Sequence, residues 1–72
     1  MAREKRRYVV CLNNDGYPAS LERRKIYVAL GKDEEGFMRV IDESGEDYMY
    51  PIELFAEIEL PTRVARALSA SG

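Results

Sequence analysis

Residues 37–55, Phe-Met-Arg-Val-Ile-Asp-Glu-Ser-Gly-Glu-Asp-Tyr-Met-Tyr-Pro-Ile-Glu-Leu-Phe, restrict the possible fold more than any other stretch of this chain. β-Branched and aromatic residues flank the four-residue connection Glu43-Ser44-Gly45-Glu46. Gly45 stands where a positive φ carries no steric cost, so a hairpin is expected. Pro51 has no N–H to give to a ladder. The second strand should end there, followed by one helical turn over 52–55 and an extended run over 56–60.

A chain of 72 residues holds one domain. At that size folding buries only about 60% of the unfolded surface, and the stability margin is thin. The apolar share of 46%, with five Tyr and two Phe, is enough for a small core. A lone Cys11 closes no internal disulfide, which points to a reducing, cytoplasmic setting. With no His in the chain, the ligands of a structural zinc site and the base of a Ser-His or Cys-His pair are missing. The acids Asp42, Glu43, Glu46 and Asp47 crowd a hairpin tip too wet to shift their pKa values for acid-base work. No glycine pattern matches a phosphate-cradling loop, so neither an enzyme nor a bound cofactor or metal is expected.

Residues 1–7 carry Arg3, Lys5, Arg6 and Arg7 and read as a flexible basic arm with no apolar run long enough for a signal peptide. Tyr8-Val9-Val10-Cys11-Leu12 reads as a first strand, with Cys11 a small buried hydrophobe. Asn13-Asn14-Asp15-Gly16-Tyr17-Pro18 should turn. Ile26-Tyr27-Val28-Ala29-Leu30 reads as a second strand whose Ile26, Val28 and Leu30 face the core. Gly31 to Gly36 suits an exposed hairpin loop, and Phe37 to Asp42 is apolar on both faces. The expected core is Val10, Ile26, Val28, Val40, Ile41, Met49, Ile58 and Leu60. Pro61 opens a short helix over 61–69, whose Val64 and Leu68 either close one end of the sheet or enter a partner's groove.

These elements describe an all-β small barrel over 8–60, with residues 61–72 forming the helix and a frayed end. Ala19 to Leu30 resembles the stretch of Src-homology-3 domains in which a diverging turn leads into the second strand. Tyr50-Pro51-Ile52-Glu53-Leu54-Phe55-Ala56-Glu57-Ile58 is similar to their aromatic-Pro, helical turn and final strand. The chain also resembles a set of small uncharacterised bacterial and phage proteins with the same Asp-Glu-Ser-Gly-Glu-Asp-Tyr turn. Src-homology-3 domains that bind proline-rich peptides use a shelf that includes a Trp and the tyrosines of an Ala-Leu-Tyr-Asp-Tyr segment. This chain has no Trp, offers Val9 to Asn13 in the first strand, and places Leu54 where the groove tyrosine would lie. Only Pro51 carries over, so the resemblance implies the barrel and not polyproline binding.

Two functions follow as expectations. The first is a non-enzymatic protein-interaction or regulatory module presenting Tyr17, Tyr27, Tyr48, Tyr50 and Leu54 beside Arg23, Arg24 and Lys25. The second is nucleic-acid binding through Arg3, Lys5, Arg6, Arg7, Arg23, Arg24 and Lys25. Residues 1–32 hold eight basic and three acidic groups, and residues 33–72 three basic and ten acidic ones. That acidic half opposes a polyanion unless it lies on the far side.

Overall fold

A computed structural model describes residues 6–70, with the side chains of Ala65, Leu68, Ser69 and Ala70 outside that description. The elements are β1 (Arg6–Cys11), β2 (Ile26–Glu34), β3 (Phe37–Ile41), β4 (Asp47–Pro51), a 3₁₀ turn (Ile52–Leu54), β5 (Phe55–Ile58) and α1 (Thr62–Ala70). The strands form one antiparallel sheet in the order β4-β3-β2-β1-β5. This is a small all-β domain with one short helix, and its strand order is compatible with a Src-homology-3-like arrangement.

The β3–β4 connection follows from its residue types. Gly45 N–H donates to Asp42 O at 3.0 Å, closing a turn in which Gly45 has φ 86°. Asp42 N–H donates to Glu46 O at 3.0 Å, so the tight part of the turn is three residues long, with Gly in the left-handed position. At the other end of the hairpin, β4 runs to Pro51 and the 3₁₀ turn starts at the next residue.

Three expectations need correction. Arg6 and Arg7 are not part of an arm but open β1, where Arg7 meets Asp33 and Glu57; residues 1–5 of the arm lie outside the described residues. The exposed loop over 31–36 shrinks to the two-residue turn Glu35-Gly36, both at positive φ. Gly31, at φ 66°, shifts the register between Leu30 and Glu34 and bends β2 without ending it.

The third correction is the facing of the sheet. The core is Val9, Cys11, Leu21, Tyr27, Ala29, Met38, Val40, Tyr50, Leu54 and Phe55, so Val40 alone of the expected core lies in it. Val10, Val28, Ile41, Ile58 and Leu60 are half-buried on the other side, while Ile26 and Met49 are exposed. Period two leaves two facings open when both are apolar. The choice falls on the face whose tyrosines can satisfy their hydroxyls: Tyr27 donates to Glu43, and Tyr50 to Asp42. Leu21 and Leu54, from connecting segments, then cover that face.

The connection from 12 to 25 is held to the sheet by its own backbone. Leu12 N–H donates to Leu54 O, Arg24 N–H to Cys11 O, and Glu43 N–H to Ser20 O. The last bond ties this connection to the 42–46 turn, and an open groove lies beside it, between the two. Val64 of α1 is exposed, and Leu68, its expected companion, has a side chain outside the described ones.

Candidate functional site

Beside the 42–46 turn lies an open groove of about 360 Å³ lined by Tyr17, Ser20, Asp42, Ser44, Tyr48, Met49 and Tyr50. It is at the small end of ligand-site volumes and is the size of a side chain or small ligand. Tyr48 and Tyr50 alternate with Met49 on β4 and pair with the core residues Val40 and Met38, so both rings project to the face that carries the core. The Tyr17 ring stands edge-on to that of Tyr50, with centroids 5.0 Å apart and planes at 83°. Tyr17 is half-buried, Tyr50 is buried, and Tyr48 is 53% exposed.

Asp42 is the one buried charged residue among the described ones. Its Oδ1 accepts from the Ser44 backbone N–H at 2.9 Å and from the Ser44 hydroxyl, while Oδ2 accepts from the Tyr50 hydroxyl. Burial pushes the Asp42 carboxyl up, but these donors outweigh it and hold the group below its ordinary value. Burial, and then the neighbouring carboxylate, push the Tyr50 phenol up to about 12. Neutral phenol against ionised carboxylate is therefore the resting state at neutral pH.

Glu43, the next residue, repeats the arrangement on the other flank of the turn. It accepts from the Tyr27 hydroxyl, whose oxygen in turn accepts the Glu22 N–H at 2.7 Å. Lys25 Nζ lies 2.7 Å from Glu43 Oε2 and 5.8 Å from the centroid of the Tyr27 ring. Lys25, and then Tyr27, lower the Glu43 carboxyl, and Glu43 raises Lys25. Burial, and then Glu43, raise Tyr27.

Of the residues singled out in the sequence, the groove brings together Tyr17, Tyr48 and Tyr50. Tyr27, Tyr50 and Leu54, expected at the surface, are instead buried in the core, because Glu43 and Asp42 take the Tyr27 and Tyr50 hydroxyls and the 3₁₀ turn points Leu54 inward, so Tyr50 meets the groove only at its edge. Arg23, Arg24 and Lys25 are exposed on the outer rim of the 12–25 connection and do not line the groove. Asp42 went unrecognised as a site residue because a carboxylate in a turn reads as wet. The signal that points to it is an Asp eight residues before a Tyr, across a hairpin short enough to join them. Burial pushes the Cys11 thiol up, the opposite of an activated nucleophile. Among the described residues no group of acidic, His or Cys side chains is placed to hold a metal, and no helix is long and apolar enough to cross a membrane. Compared with protein-family models, curated proteins and solved structures, the chain matches none.

Proposed function

We propose that this protein is a non-enzymatic protein-interaction module on a Src-homology-3-like small barrel. In this reading the partner meets the groove between the 12–25 connection and the 42–46 turn. The observation that supports it is the tyrosine-lined groove, where half-buried and exposed rings stand beside a buried carboxylate that accepts three hydrogen bonds. Aromatic rings with a polar tip are the side chains that contribute most to recognition surfaces of this size. The strand order and the 3₁₀ turn between β4 and β5 support the barrel.

Nucleic-acid binding is the alternative, favoured by the adjacent exposed pair Arg23 and Arg24. It is weakened because two of its seven cations are engaged: Arg7 with Asp33 and Glu57, and Lys25 with Glu43. Titration of single-stranded and duplex oligonucleotides at several salt concentrations separates the readings. A protein-binding module shows weak association with a shallow salt slope. Affinity carried by six or seven cations falls about a thousandfold or more between roughly 50 and 200 mM salt. Tight, steeply salt-dependent binding that is abolished by Arg23→Ala with Arg24→Ala, in a variant that still folds, would replace the proposal with its alternative.

A further inference from the structure

Asp42 and Glu43 are consecutive, and each accepts a tyrosine hydroxyl. On the Glu43 side the chain supplies a cation of its own: Lys25 sits against the carboxylate and over the Tyr27 ring. On the Asp42 side, no Lys or Arg among the described residues forms an ion pair with the carboxylate, and none lines the groove. The groove there offers the same chemistry in an open form. Tyr17 and Tyr48 provide π-faces, Ser20 and Ser44 provide hydroxyl oxygens, and Asp42 provides negative charge, with Glu46 on the same turn 3.5 Å from the Tyr48 hydroxyl.

We infer that the groove receives a cationic side chain, an Arg guanidinium or Lys ammonium, from a partner polypeptide, with the ring of Tyr48 against the cation and Asp42 behind it. The inference rests on the reading of the protein as a protein-interaction module and names the chemistry of what it binds. A cation over an aromatic face is attracted by the ring quadrupole, more strongly as it is desolvated. A carboxylate already held ionised by three donors keeps its charge without waiting for the ligand. Tyr48 is exposed and faces a groove of fitting volume, so it has room to move against the incoming group. An acidic side chain meets like charge at Asp42, and an apolar one makes no use of that charge.

The test is an NMR titration of isotope-labelled protein with a capped Gly-Arg-Gly peptide and with its citrulline counterpart, which keeps the shape and loses the charge. Saturable shifts at the amides of Tyr17, Ser20 and Tyr48 are expected, with an affinity on the order of 1 mM for a single side chain. Citrulline should bind about tenfold more weakly. Tyr48→Leu should weaken the arginine peptide about fivefold or more, and Tyr48→Phe should retain it, because the ring face and not the hydroxyl is the contact. Tyr48 is exposed, so both variants should melt like the parent, which separates lost binding from lost fold. Absence of saturable shifts, equal binding of the citrulline peptide, or full binding by Tyr48→Leu overturns the cation inference and leaves the interaction reading standing. Tight oligonucleotide binding with a steep salt slope by the same samples overturns that reading itself.

Discussion

Gly45 and Arg24 both sit in the left-handed region, at φ 86° and 68°, and the two make opposite predictions. A Cβ added at Gly45 meets nothing within 4 Å, so the cost of Gly45→Ala comes from the backbone alone. That cost is about 1 kcal/mol, or roughly 4–8 °C of melting temperature for a domain this small. Arg24→Gly relieves the strain of a side chain at positive φ and should leave the melting temperature equal or higher, despite the extra freedom of the unfolded chain. Thermal melts of the two variants side by side check the signs. Leu21 is a third residue whose weight is larger than its surroundings suggest, since it is 1% exposed although it lies in a polar connection. Leu21→Ala should cost about 2–5 kcal/mol, enough to leave much of the protein unfolded at moderate temperature in a circular-dichroism melt.

The β3–β4 turn acts as a unit, because its two acids hold two tyrosines of the core. Asp42 and Glu43 titrate below their ordinary values when folded. Their contribution to stability is complete above about pH 5 and is lost as pH falls through the lowered folded values. Tyr50 behaves in the opposite sense. Its folded value is raised to about 12, so its contribution is complete below the ordinary phenol value and fades as pH climbs toward about 12. Tyr27 is raised in the same direction. Urea unfolding across the pH range should therefore show a plateau with losses at both ends. Tyr50→Phe should lessen the alkaline loss to the share Tyr27 carries, and reduce the acid one, because Asp42 gives up one of its donors. At neutral pH the same substitution should cost about 1–3 kcal/mol by leaving the buried carboxylate short of a partner. A Tyr50→Phe protein with unchanged stability and an unchanged alkaline limb would show that the Tyr50–Asp42 bond does not matter to the fold.

At the scale of the molecule, the charge asymmetry is a feature of folding. The basic strand β1 lies inside the sheet order, and cations of the first half reach acids of the second: Arg7 of β1 pairs with Asp33 and Glu57, and Lys25, just before β2, with Glu43. Arg7 has a side chain only 12% exposed, and its Nε is buried without a hydrogen-bond partner. Arg7→Ala should lower stability by about 1–2 kcal/mol, discounted for the exposure of Glu57. Lys25→Ala, on an exposed pair, should leave the melting midpoint nearly unchanged. Calorimetry of both at low and high salt checks the ranking, and a larger loss for Lys25→Ala would reverse it.

Residue chemistry acting within a few positions was readable in the chain. Gly45 at the turn, Pro51 ending β4, the 3₁₀ turn behind it and the helix after Pro61 each follow from allowed φ values or a missing N–H, which no distant contact has to supply. The same local reasoning failed at Gly31, where a positive φ bends a strand as readily as it ends one, and only the pairing of β2 with β3 decides. It failed again for the facing of the sheet, since Val9 and Val10, or Tyr27 and Val28, are equally apolar by pattern. The inward face was chosen by partners that become neighbours only on folding. Asp42 and Glu43 accept the hydroxyls of Tyr50 and Tyr27, and Leu21 and Leu54 close over the rings. The groove has the same origin: Tyr17, Asp42 and Tyr48 belong to three different segments, and a site made by their meeting is a property of the tertiary structure because no one segment contains it.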